Sequence, residues 1–392
     1  MTTTPRLVMV AALAFGSSVV AAQPAKPAPD YAPLAEKIVT VSANVKEGEI
    51  VEISGGVLDL PLLEEVAIAV RKRGAFPLLT IETDKLAKAS NTEVPAKYDS
   101  QAPKLGLQLA NIVDVYIQIP AVRDPGIPAM LAPDRAAKRA KAGQAVDERR
   151  RMHDARIVEI DNGLAPSWTR ANSLGVSEAE LGRMFWTALD ADYSVVEKKC
   201  KSLRDKVAAG SELRITHANG TDLKMSLKGR RTFVSDGVTN DADIRAGGPR
   251  TQVFLPAGDV YVTPVAGSAR GKLVDDRMVY LGKEIRGVTA DIARGRVTNI
   301  GADAGWDVVK GPYAAAGRGK TEVGFIDLGC NPAIPTAGKL ETWMGAGMVT
   351  IGIGGNRWAG GANSEPFSLA YQLPGATVTL DGKVIVENGQ LK

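Results

Sequence analysis

A chain of 392 residues, 45% hydrophobic and 23% charged, is long enough for two domains of ordinary size and is not a disordered polymer. Its formal net charge of +4 is too small for this length to supply the concentrated basic face that nucleic acid demands. Only two histidines occur, His153 and His217, so no HExxH zinc motif can be written and a serine–histidine–aspartate machine could draw on one of them at most.

Arg6 precedes the apolar run LVMVAALAFG, and Val20 and Ala22 are the small residues ahead of a cut before Gln23, the pattern of a secretory signal. The run is short of the ~20 residues that a spanning helix needs, and no later stretch is long and apolar enough to span a membrane. A signal peptide over 1–22, cleaved near Ala22–Gln23, implies an exported protein, periplasmic in a bacterium, without membrane insertion. Residues 23–30, QPAKPAPD, form a proline-rich leader.

From Tyr31 to Ala43, Leu34, Ile38 and Val41 recur at helical spacing. IVEIS and PLLTIE read as strands, and between them Leu62, Leu63, Val66, Ala69 and Val70 share one face of a helix that Gly74 stops. Strand, helix and strand in so short a span predict a βαβ unit with parallel pairing. IVDVYIQIP and RIVEID continue the sheet. Residues 133–154 carry the runs DRAAKRAKAG and DERRRMHD, the solvated face of a helix. Ser177, with Glu180 three residues on, opens a long helix whose stripe is Leu181, Met184, Phe185, Leu189, Tyr193 and Val196, ended by Gly210.

After Gly210 the pattern changes. ELRIT and DLKMS alternate around Asn219–Gly220, a hairpin signal. QVFLPAGDVYVTPV, GKLVDDRMVYL, IRGVTADIARGRVTNIG, MVTIGIGG and ATVTLDGKVIVENG read as further strands with glycine turns. The expected division is an α/β domain over 31–210 and a β-rich domain over 211–392. Cys200 and Cys330 are the only cysteines; export permits a disulfide, but nothing in the sequence brings them together.

Five blocks in order carry a resemblance: YAPLAEKIVTVSANVKEGEIVEISGG at 31–56, GTDLKMSLKGR at 220–230, FLPAGDVYVTPVAGSARGKLVDD at 254–276, LGCNP at 328–332 and GMVTIGIGGNRWAGGANSEPFSLAYQ at 347–372. Over roughly residues 31–392 the chain resembles the thermophilic metallo-aminopeptidases of the aminopeptidase T type. The resemblance implies an α/β N-terminal domain with a mainly parallel sheet, a β-rich α+β C-terminal domain, and a homodimer. It also implies removal of N-terminal residues from peptides by two divalent metal ions, zinc, cobalt or manganese, which polarise the scissile carbonyl and supply hydroxide.

The family's ligand positions fall on Asp259, Phe325, Thr350, Ser368 and Ala370 in this sequence. Asp259 keeps a carboxylate, one methylene shorter than the family's glutamate. Phenylalanine cannot ligate; Asp327, on the same strand face as Phe325, is the better substitute. Thr350, Ser368 and Ala370 offer no imidazole or carboxylate, and hydroxyls are poor zinc ligands at neutral pH. Glu341, in KLETW, is the candidate remnant of the general base. Two readings follow. One is an exported aminopeptidase relative, degenerate at its metal site, with metal weakly held or absent. The alternative is a non-catalytic periplasmic protein that binds a peptide or small molecule in the ancestral cleft.

Overall fold

Residues 30–334 and 342–392 are described by a computed structural model. The signal segment, the leader before Asp30 and Glu341 lie outside the described residues.

The first helical pattern begins as an α-helix at Ala32–Lys37 and widens to a π-helical turn over Ile38–Ser42, burying Leu34, Ile38 and Val39. Strands β1 (Ile50–Gly56), β2 (Phe76–Glu82), β3 (Val115–Gln118) and β4 (Arg156–Ile160) then alternate with helices, the Leu60–Lys72 helix crossing from β1 to β2. Val51, Ile53, Val115, Ile117, Val158 and Ile160 are buried, as central strands covered on both faces require. The basic run forms the Pro133–Met152 helix, which buries only Val146.

The single long helix expected after Ser177 is two helices, Glu178–Leu189 and Tyr193–Ala209. Ser177 caps the first, its hydroxyl accepting from the Glu180 N–H at 3.1 Å. The chain breaks at Asp190–Asp192 because Asp192 caps a second start, its carboxylate accepting from the Ser194 N–H at 2.9 Å. The apolar spacing continues across the break: Leu181, Phe185, Leu189, Tyr193 and Val196 are all buried, which hides the interruption from a periodicity argument.

β5 (Glu212–Thr216) and β6 (Asp222–Ser226) pair antiparallel around Asn219–Gly220, as expected. Next come β7 (Thr232–Ser235), β8 (Gln252–Leu255), β9 (Asp259–Val262), β10 (Arg270–Tyr280), β11 (Lys283–Ala293) and β12 (Arg296–Gly301). β13 (Val323–Gly329), β14 (Val349–Gly354), β15 (Ser368–Gln372), β16 (Thr377–Leu380), β17 (Lys383–Glu387) and β18 (Gln390–Leu391) complete the set. They build a parallel sheet in the order β2-β1-β3-β4-β8, an antiparallel eight-stranded sheet β12-β11-β10-β6-β5-β16-β17-β18, and an antiparallel five-stranded sheet β15-β14-β13-β9-β7.

The stretch QVFLPAGDVYVTPV is therefore two strands. β8 joins β4 in the parallel sheet and β9 enters the five-stranded sheet; Pro256, which has no N–H to give a ladder, sits at the corner. The change of character at 210 coincides with the end of the Tyr193–Ala209 helix, and the chain returns to the parallel sheet through β8. Tyr31–Lys392 form one compact unit. Cys200, on the Tyr193–Ala209 helix, and Cys330, just past β13, are bridged across 130 residues with Cα atoms 5.3 Å apart. Their pairing follows from the packing of that helix against β7 and β9 of the five-stranded sheet.

Candidate functional site

The site begins where the PAGD and GCNP blocks clasp. The Cys330 N–H donates to the Gly258 carbonyl at 2.7 Å, and the Asn331 side-chain amide donates to the Ala257 carbonyl at 2.7 Å. Gly258 has φ +140°, and a Cβ there would lie 2.5 Å from that of Asn331, so glycine is required at this corner. The clasp fixes the register of β9 against β13, with Gly329 opposite Asp259 and Asp327 opposite Tyr261.

Register carries the pattern across the sheet. Phe233, Tyr261, Asp327, Thr350 and Gln372 stand opposite one another on five consecutive strands. Phe325, Gly352 and Ala370 form the next row, and Ser368 faces Gly354. Because side chains alternate, Asp259, Phe325, Asp327, Thr350, Ser368 and Ala370 all share one face. The sequence-derived positions are thus brought together. The opposite face, with Val260, Val262, Ile326, Leu328, Val349, Ile351 and Ile353, belongs to the main core.

The shared face is packed with aromatic rings. Phe325 lies flat into the space that Gly352 leaves: a Cβ on Gly352 would stand 2.0 Å from the Phe325 ring. Trp358 meets that ring edge-on with centroids 4.8 Å apart, and Trp343 stacks on it at 6.2 Å. Trp358 also packs on Tyr261 at 5.0 Å and on Phe254 at 5.7 Å. These rings, with Phe233 and Ala359, form a separate apolar cluster over the face. Phe325 and Thr350 are buried, and only Ser368, at the edge strand, is exposed.

Asp259 and Asp327 lie beneath this cluster, 2% and 4% exposed. One Asp259 oxygen accepts from the Asn162 amide at 2.7 Å. The other Asp259 oxygen, Oδ1 of Asp327 and the Thr350 hydroxyl are buried without a hydrogen-bond partner among the described residues. Burial pushes the Asp259 carboxyl up to about 7, the Asn162 hydrogen bond opposing it. Burial, with the neighbouring Asp259 charge second, pushes Asp327 well above the usual carboxylate range. The Tyr261 phenol is raised by burial and by both carboxylates.

A family model described as thermophilic metalloprotease (M29) matches residues 29–324. The chain belongs to the M29 family. Among solved structures, AmpT from Thermus thermophilus is similar over 92% of this chain and 98% of its own at 17% identity, with a TM-score of 0.69. A 2,5-dihydroxypyridine dioxygenase from Pseudomonas putida is similar over 92% and 96% at 13% identity, with a TM-score of 0.59. At those identities the likeness is one of fold. No curated protein matches the chain.

M29 membership implies divalent metal, and the three orphaned oxygens mark where it would be sought. The residues do not fit a two-metal centre. Among the described residues no group of three or more His, Cys, Asp or Glu could hold a metal ion, and Phe325 and Thr350, where the resemblance looks for ligands, supply a ring and a hydroxyl. Asp275, another buried acid near the sheet, accepts from the Gln372 and Arg277 N–H groups instead. His217 is structural, its Nδ1 accepting from Asn219 N–H and its Nε2 3.0 Å from the Pro374 carbonyl. His153 lies at the surface 3.5 Å from Asp114.

Sequence reasoning missed Asn162, which holds Asp259, and Gln372, in line with Thr350. Asn162–Gly163 directly follows the RIVEID strand, so a turn there was legible; its reach to Asp259 depends on β4 and β8 lying side by side.

Proposed function

We propose that this M29 chain is an exported, non-hydrolytic member of its family that binds a peptide or small molecule on the retained scaffold. The observation that carries the reading is Phe325 seated against Gly352 beneath Trp343 and Trp358, on the face that also holds Asp259 and Asp327. Export is supported by the signal pattern and by the Cys200–Cys330 bridge, which suits an oxidising compartment.

The binding surface in this reading is a groove of about 920 Å³ beside the closed face, between the Pro133–Met152 helix and the 355–368 loop. Ser368 opens onto it. Glu148 spans the two walls, accepting from Arg151 on its own helix and from Arg357 on the loop at 3.1 Å. Charges of both signs line it, including Asp154, Glu365, Arg150 and Arg357, which fits a zwitterionic or peptidic ligand better than a purely apolar one. Among the described residues no helix is long and apolar enough to cross a membrane.

The test is metal analysis with an activity assay. Purified protein dialysed against zinc, cobalt or manganese is expected to retain metal well below stoichiometry and to release no leucine from a chromogenic anilide. Stoichiometric metal with chelator-sensitive turnover overturns the reading.

A further inference from the structure

A second cavity lies over the carboxyl ends of the parallel strands, well apart in the chain from the closed face. The order β2-β1-β3-β4-β8 reverses between β1 and β3, and open α/β sheets form a crevice at such a reversal because successive crossovers leave to opposite sides. A cavity of about 480 Å³ occupies it, floored by Ile119 and Ile160 and walled by the segments that follow β1, β2, β3 and β4. That volume suits a small molecule.

The lining disfavours phosphate. Helix starts that would attract an anion are already occupied by the chain's own acids. Asp59 accepts from the Gly56 N–H at 3.1 Å, and Asp84 and Glu178 sit in the first turns of their helices. Arg123 is the one cation in the lining; it is ion-paired with Asp59, yet its Nε is buried without a hydrogen-bond partner among the described residues. Asp84, Asp124 and Glu178 leave the cavity net acidic.

Its walls are also aromatic. Tyr31 and Trp186 meet with centroids 5.3 Å apart, and the Trp168 indole stands at the rim 71% exposed. An indole left this open beside carboxylates is suited to a cation with an apolar body.

We propose that this cavity binds a small ligand of α-amino-acid type. Its ammonium is held by the carboxylates and indole faces, and its apolar side chain packs on Trp168 and Trp186. The proposal is independent of the reading of the five-stranded sheet and stands whichever way metal analysis falls there.

Phenylalaninamide is the probe, titrated into the purified chain by calorimetry and tryptophan fluorescence. For a ligand of that size the expected Kd is on the order of 1 mM. 3-Phenylpropionamide, which lacks only the ammonium, is expected to bind at least about tenfold more weakly. W168A, whose side chain is exposed and outside the core, is expected to weaken phenylalaninamide about tenfold at an unchanged melting temperature; E178Q, a second surface variant, is expected to weaken it about threefold. Absence of saturable binding overturns the proposal. So does equal affinity for the two amides, or unaltered binding by both variants.

Discussion

Two regions shelter aspartate carboxyls from water and treat them in opposite ways. Asp99, with a side chain 1% exposed, lies under Arg135 and Arg139, whose Nε groups each donate to it at 2.6 Å. The Arg135 hydrogen bond, reinforced by Arg139, holds its carboxyl down at about 2. Asp259 and Asp327 have one amide between them and no cation in contact among the described residues, and burial drives both upward. The difference teaches that shelter alone does not set a carboxylate's charge; the supply of positive charge does. In an M29 metal centre that supply would be the metal. Among the described residues no group of three or more metal-ligating side chains stands there, and burial favours the protonated form of both carboxyls.

The largest effect should come from opening that cover. F325A removes a ring packed by Trp343 and Trp358, and its unfolding free energy in denaturant is expected to fall by about 3–5 kcal/mol. A loss near zero would mean the face is loosely packed and the contrast with an open site is overstated. Next is the bridge that fastens the Tyr193–Ala209 helix to the end of β13. C200S/C330S is expected to lose about 2–5 kcal/mol, read as a lower thermal midpoint.

The pH dependence tests the two regions directly. For Asp259 and Asp327 the folded pKa lies above the unfolded value, so the folded state binds more protons. Stability is then greatest below about 4 and declines as pH rises through about 7, the value to which Asp259 is pushed. D327N removes one of the paired charges and leaves a neutral isostere. It is expected to flatten this decline and to gain about 1–2 kcal/mol at pH 8 relative to the wild type. A variant that follows the wild-type profile over this range would show that the pair is ionised and compensated.

The smallest effect has the opposite sign. Asp99 is depressed in the folded state, so its contribution is present at neutral pH and is lost as pH falls from about 4 through about 2. D99N should be less stable than the wild type at pH 7 and lose less on acidification, measured by thermal midpoints along a pH series.

The elements were largely legible because their signals are local. The βαβ start, the Ser177 cap and the Asn219–Gly220 hairpin each follow from periodicity or turn chemistry within a few residues, and each is found. The carboxylates and the replaced positions were also legible, since Asp259, Phe325, Asp327, Thr350, Ser368 and Ala370 lie in recognisable blocks and register brings them to one face. Errors arose where distant chain segments decide. The break at Asp190–Asp192 is masked by apolar spacing that runs through it, and the split at Pro256 depends on which sheet each half meets.

What the sequence determined by itself was the ancestry, the alternation that puts six positions on one face, and the absence of imidazole to serve a metal there. Only the tertiary structure decided what fills the space. Trp343 and Trp358 reach Phe325 from loops whose path no local pattern specifies, Asn162 reaches Asp259 from another sheet, and Cys200 meets Cys330 across 130 residues. Side-chain chemistry is written residue by residue. Volume, contact and local charge balance belong to neighbours that are close in space and far apart in the chain.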